Sequence, residues 1–162
     1  MTLPVASPFL IRPAVLRDAD VLTAIDALCF PAGIAYPREE IVCLLRNPTI
    51  TTVVAEHSDV IAGFAALQRR QHSRSHPNSR YGELVTMEVL PQFRRQMLGA
   101  QLYQTLEAGL TAWGGSRMQL HVSVDNRAAL AFYRRLGYLI VDRAPGYYLN
   151  IIDAWQMEKI FP

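Results

Sequence analysis

Apolar residues recur at every fourth position at Leu98, Leu102, Leu106 and Leu110, with polar Gln101, Gln104 and Glu107 between them. That spacing predicts an amphipathic helix with one buried face. The residues before it, Glu-Leu-Val-Thr-Met-Glu-Val at 83–89, predict a strand; Pro91 marks a turn, and Arg94 and Arg95 make the connection basic. A strand that runs through a short loop into a helix creates an anion site, because the first helical amides have no intrahelical acceptor and carry the positive end of the dipole. Arg94 and Arg95 would supply charge there, and the small residues Gly99 and Ala100 would let a ligand approach the backbone.

The same reading orders the rest of the chain. Residues 9–13 predict a short strand ended by Pro13, and Asp18 is placed to cap a helix carrying Ala19, Leu22, Ile25 and Leu28 on its apolar side. That helix stops before Pro31, an aromatic loop spans 29–36, and a second helix is expected over 37–45. Residues 50–55 and 60–67 predict a hairpin around Glu56, His57, Ser58 and Asp59. Residues 68–80 have no apolar period and read as a mobile basic loop, either solvated or a clamp for an acidic partner. Gly114 and Gly115 break the chain before a strand over 118–124; Asp125 or Asn126 caps a helix ending at Gly137, and 138–141 and 153–160 close as strands. The order β-α-α-β-β-β-α-β-α-β-β predicts an α/β fold, a single mixed sheet flanked by helices.

With 162 residues, 51% of them hydrophobic, one domain is expected over 1–162. The net charge of +2 gives no argument for wholesale nucleic-acid binding, and no nucleic-acid partner is expected, while a pI near 8.7 permits anionic ligands. Cys29 and Cys43 fit neither a disulfide framework nor a metal pattern, and are expected as buried thiols of a protein kept reduced in the cytoplasm. Pro4, Pro8 and Pro13 interrupt any leader-like run, and no segment reaches membrane-spanning length.

Two motifs together resemble the GNAT superfamily of acetyl-coenzyme A dependent N-acetyltransferases. Its loop pattern, Gln/Arg-x-x-Gly-x-Gly/Ala, is met at its ends by Arg94 and Gly99, and its second signature by Leu-His-Val-Ser-Val-Asp-Asn-Arg-Ala-Ala-Leu-Ala-Phe-Tyr-Arg-Arg-Leu-Gly-Tyr at 120–138. The resemblance implies a pyrophosphate site on the amides of Arg94, Arg95, Gln96, Met97, Leu98, Gly99 and Ala100. It also implies strand-like pairing of the pantetheine arm with Met87, Glu88 and Val89, the Val89 amide polarising the thioester carbonyl, with Asn126 as a further contact and Tyr133 beside the sulfur. Outside the motif, Tyr133 reads equally as a core aromatic. Phe30, Pro31 and Tyr36, with the pair Tyr147 and Tyr148, resemble the acceptor-flanking residues of the protein N-terminal, ribosomal-protein alanine type branch.

Acetyl transfer needs a neutral amine and a protonated or hydrogen-bonded leaving sulfur. His121 suits the first task because an imidazole titrates near neutrality, and Glu83, acting through a water, competes with it. Tyr133 suits the second, as a donor to the nascent thiolate. Two departures from the family pattern stand out: the branch often carries glutamate at the place of His121, and Met97 occupies the place of a loop glycine. The acceptor stays open between a peptide or protein N-terminus and a lysine or small amine, a non-catalytic acyl-coenzyme A module is a third reading, and no metal is expected. Monomer and homodimer are equally compatible with the sequence.

Overall fold

The computed structural model describes residues 7–72, 74, 77 and 79–162. In chain order they form β1 (Leu10–Pro13), α1 (Ala19–Cys29), α2 (Arg38–Arg46), β2 (Ile50–His57), β3 (Val60–Gln71), β4 (Arg80–Val89), α3 (Leu98–Ala112), β5 (Arg117–Ser123), α4 (Arg127–Arg135), β6 (Leu139–Tyr148) and β7 (Ile152–Ile160). The strands make one seven-stranded mixed sheet in the order β1-β2-β3-β4-β5-β7-β6.

All neighbouring strands are antiparallel except β4 and β5, which pair in parallel at Tyr81–Arg117, Gly82–Met118 and Glu83–Gln119. No further β4–β5 pairing occurs among the described residues, so the two central strands part beyond Glu83 and leave a notch in the sheet. A bulge at Val85, where the β3 register slips between Ala66 and Leu67, changes which face β4 presents. Leu84, Met87 and Val89 consequently all pack on the α3 side, although an unbroken period of two would separate Leu84 from Met87.

Each face of the sheet is covered by the helices whose apolar stripes fit it. Leu98, Leu102, Leu106 and Leu110 of α3 are buried against Ala65, Leu67, Leu84, Met118 and Leu120, as their spacing predicts. On the other face Leu22 and Ile25 of α1 and Ile41 of α2 pack on Val54 and Phe64. Ser58 and Asp59, both at left-handed φ, close the β2–β3 hairpin tightly enough for His57 to pair with Val60.

Several expectations need correction. Leu28 lies on the solvent side of α1 at 72% exposure, and the buried place on that face belongs to Asp26. Asp18 does not cap α1 with its side chain; it accepts the Val15 amide at 2.8 Å and pairs with Arg12 at 2.8 Å. Cys43 is exposed and Cys29 half-buried, so neither is a core thiol. The polar 68–80 segment is partly strand, because β3 continues to Gln71 and β4 begins at Arg80; residues 73, 75, 76 and 78 lie outside the described residues. β6 runs to Tyr148 rather than stopping at 141, which puts the tyrosine pair on a strand end.

Candidate active site

The notch between β4 and β5 brings the chemistry-bearing residues together. Leu90 donates its amide to Ala62 of β3 at 2.9 Å, so alternate residues of β4 point their peptide groups to β3 and the others point away. Met87 and Val89 therefore turn their backbone to the notch, and the Val89 carbonyl accepts the Arg94 side chain at 3.0 Å. Glu88 does not join them: its peptide groups face β3, and its carboxyl is buried at 3% exposure beneath α1.

After β4, a short 3-10 turn over Pro91–Phe93 leads into an exposed loop, in which Arg95 (φ 60°) and Met97 (φ 62°) both take the left-handed conformation. A left-handed residue ahead of α3 is what glycine supplies without strain in the family loop. Met97 keeps that backbone, with its side chain 72% exposed rather than turned inward. The first α3 amides, Leu98 to Ala100, thus keep the orientation of an anion cradle. A Cβ at Gly99 would meet Phe132 at 3.7 Å, an ordinary contact, so the protein's own packing does not demand glycine there.

Across the notch, Asn126 caps α4 by accepting the Ala129 amide at 3.1 Å, which leaves its Nδ2 to donate elsewhere. Seven residues on, Tyr133 lies on the same face and is buried. Its position is fixed from below: Gly137 (φ 97°) donates to Arg134 at 3.0 Å and Tyr138 to Tyr133 at 3.0 Å, the paired bonds of a Schellman turn, and the Tyr138 ring packs edge-on at 5.6 Å. Burial above all pushes the Tyr133 phenol well above its ordinary value. It stays a hydrogen-bond donor at any working pH.

His121 on β5 stacks on Tyr147 of β6 with centroids 4.3 Å apart and planes 9° from parallel. Tyr148 meets Tyr147 edge-on at 4.9 Å and donates its hydroxyl to the His121 carbonyl at 3.4 Å. The pair is aimed by Asp153, which accepts the Gly146 amide at 2.8 Å and the Arg143 guanidinium at 2.7 Å. Burial pulls the imidazole of His121 below its ordinary value, with Glu83 pulling back in part. Glu83 itself is engaged by Arg70 at 2.8 Å, which ties up one oxygen of the competing base. Tyr36, from the α1–α2 loop, has its phenol pushed up to about 12 by burial and then by Tyr147, and Tyr148 is likewise raised to about 12. Phe30 is half-buried and Pro31 exposed at the start of the same loop.

Sequence reading passed over Asp26, which accepts the Tyr36 amide at 2.5 Å and thereby fixes the loop. The available signal was a carboxylate on the stripe Ala19, Leu22, Ile25. Among the described residues no group of three or more His, Cys, Asp and Glu could hold a metal ion.

Comparison with known proteins gives the family and the fold. The chain is 28% identical over 117 residues to an N-alpha-acetyltransferase of Caenorhabditis elegans, covering 71% of this chain and 63% of that one. It is 29% identical over 153 residues to an N-alpha-acetyltransferase of Sulfurisphaera tokodaii, covering 91% and 90%. The chain thus spans less than two thirds of the length of the worm relative. Ard1 from Thermoplasma volcanium has the same fold, with a TM-score of 0.82 at 22% identity over 96% of this chain and 99% of that one. Residues 20–138 match the acetyltransferase (GNAT) family, and the chain belongs to it.

Proposed function

We propose that this protein is an acetyl-coenzyme A dependent N-acetyltransferase whose acceptor is the α-amine of a protein or peptide. The observation that carries the reading is the notch itself, with donor-suited backbone on one side and His121, Tyr147, Tyr148 and Tyr36 walling the other.

The residues present fit the donor. Its pyrophosphate suits the amides that follow the left-handed Met97, with Arg94 and Arg95 close by. Its amide-bearing arm suits the outward backbone of Met87 and Val89, with Asn126 opposite. When bound, acetyl-coenzyme A supplies an acetyl group activated as a thioester.

His121 is the base. An α-amine has a pKa of about 7.7–8.0, so about a tenth is neutral at pH 7, whereas freeing a lysine amine near 10.4 costs about 4.6 kcal/mol. An imidazole held below its ordinary value is a weak base, sufficient for the first amine and poorly matched to the second. Tyr133, kept protonated, donates to the sulfur side, and the Val89 amide faces the carbonyl side as an oxyanion donor. Tyr147 and Tyr148 grip the peptide backbone and exclude water, and Phe30 and Pro31 contact the first side chain. Cys29 and Cys43 are both free thiols, which supports assignment to a reducing compartment, the cytoplasm.

The test is product mapping by tandem mass spectrometry, after incubation of the protein and acetyl-coenzyme A with peptides carrying both a free α-amine and an internal lysine. Acetyl on the α-amine supports the reading; acetyl on lysine alone, or on a polyamine added in competition, replaces it with a side-chain or small-amine acetyltransferase.

A further inference from the structure

Two carboxyl groups that the acetyl-transfer reading does not use lie against each other in the core. Asp26 is completely buried on α1 and Glu88 is 3% exposed on β4. Asp26 Oδ1 and Glu88 Oε2 are both buried without a hydrogen-bond partner, and each carboxyl shifts the other's titration. Among the described residues no ion pair involves either side chain. Their other oxygens are satisfied: Oδ2 accepts the Tyr36 amide at 2.5 Å, and Glu88 Oε1 accepts the Thr86 hydroxyl. Two ionised carboxylates so placed would be desolvated and mutually repelled, whereas one proton between them satisfies both orphan oxygens.

Asp26 also closes the acceptor-side loop on itself. Its carbonyl accepts the Phe30 amide at 2.9 Å and its carboxylate accepts the Tyr36 amide, so both ends of the 30–36 segment are held by this one residue. Glu88 in turn sits beside Val89, whose backbone faces the notch. We propose that Asp26 and Glu88 share a single proton and together act as the positioning element that holds the 30–36 segment against β4 for the incoming amine. The positioning role rests on the acceptor reading of that segment; the shared proton does not.

The surroundings favour one proton on the pair, with Glu88 as its holder. Burial first, and then the Asp26 charge, drive the Glu88 carboxyl far above its ordinary value. Burial raises the Asp26 carboxyl too, but the Tyr36 peptide N–H that it accepts pulls it back and favours Asp26 as the ionised member. The groups facing the pair are Cys29 on α1, Tyr36 from the loop, Thr86 on β4 and Tyr133 on α4. The cation that comes near, Arg94, contacts Cys29 at 3.8 Å and the Val89 carbonyl at 3.0 Å, and so leaves the pair uncompensated. Once alkaline pH removes the proton, the carboxylates repel, Asp26 loses its place, and the Tyr36 amide is released.

Three readouts test this. Without any acceptor, infrared difference spectra in light and heavy water should show a protonated carboxylic acid at neutral pH that is absent in Glu88→Gln. Exchange protection of the Tyr36 amide, corrected for intrinsic base catalysis, should fall at alkaline pH in the parent and stay level in Glu88→Gln, whose amide still donates to Asp26. With an acetylatable peptide, the acceptor KM of the parent should rise about tenfold per pH unit above the pair's apparent pKa, with the donor KM level, and that rise should vanish in Glu88→Gln. Absence of the acid band, or equal alkaline loss of Tyr36 protection in Glu88→Gln, overturns the shared proton. An acceptor KM that stays level while the band and protection behave as expected overturns the positioning role. Failure of every peptide to react, with band and protection as expected, counts against the acceptor reading and leaves the proton assignment supported.

Discussion

At His121, burial and the Glu83 carboxylate pull the imidazole in opposite directions, and burial prevails. A base must be unprotonated to act, so turnover should rise with pH through a midpoint below 6.5, the ordinary imidazole value. His121→Ala should remove that acid limb from the kcat/KM profile; a limb that persists in the variant would transfer the base role to Glu83. Tyr133 offers the complementary case. A buried phenol held protonated contributes through its hydroxyl alone, so Tyr133→Phe should lower kcat by about 10²-fold or more while donor affinity changes less than threefold. Equal loss of both would reduce Tyr133 to packing against Phe132 and Tyr138. In the sequence Tyr133 stood out because a contiguous motif carries it, and His121 because an imidazole titrates near neutrality. Asp26 did not, because its meaning depends on Glu88, remote in sequence and brought opposite only when α1 packs on β4.

The start of α3 concentrates two opposite demands on backbone freedom. Met97 holds φ 62°, a conformation that costs a side-chain-bearing residue about 1–2 kcal/mol, against about 0.5–1 kcal/mol of extra chain entropy that glycine loses on folding. Met97→Gly should therefore stabilise the fold by up to about 1 kcal/mol in denaturant unfolding and leave or improve donor affinity. Gly99→Ala tests the neighbouring position. The added methyl fits beside Phe132 at 3.7 Å, gains up to about 1 kcal/mol of helix propensity, and should leave acetyl-coenzyme A affinity unchanged by calorimetry, since the family loop takes either glycine or alanine there. A marked loss of affinity in Gly99→Ala would place the pyrophosphate against that methyl. α3 itself was readable from four leucines, since all four face one core. β6 was readable only at its start: residues 138–141 predicted the strand, but 142–148 show no apolar alternation, and Pro145 reads as a stop although an edge strand tolerates it. The Val85 bulge was equally hidden, since it is set by the register of β3 and leaves no composition signal.

Across the whole molecule, the same pull of burial against pairing sets how stability depends on pH. Asp18, held below its ordinary value by the Arg12 guanidinium, and Asp153, held low by the Gly146 amide and then Arg143, stabilise the fold above the unfolded carboxylate range and cease to do so as pH falls through their folded values. Glu88 has the opposite sign. Its folded state keeps a proton that the unfolded chain has released, so stability falls as pH rises from the unfolded carboxylate value toward the folded one, by at most about 1.4 kcal/mol per pH unit. Glu88→Gln should flatten that decline in urea unfolding between pH 5 and 8; a slope unchanged by the substitution would mean that Glu88 is ionised in the fold. The overall β-α-α-β-β-β-α-β-α-β-β order was legible before any coordinates, but the parting of β4 and β5, on which the active-site reading depends, follows from three residue pairs of register and could not be read from pattern. The most direct test of that reading is the rate of thiol release from acetyl-coenzyme A with a short lysine-containing peptide, compared with the same peptide blocked at its α-amine. The account predicts steady release with the free peptide and a fall to the no-acceptor background with the blocked one. Equal release from both, or none from either, would contradict it.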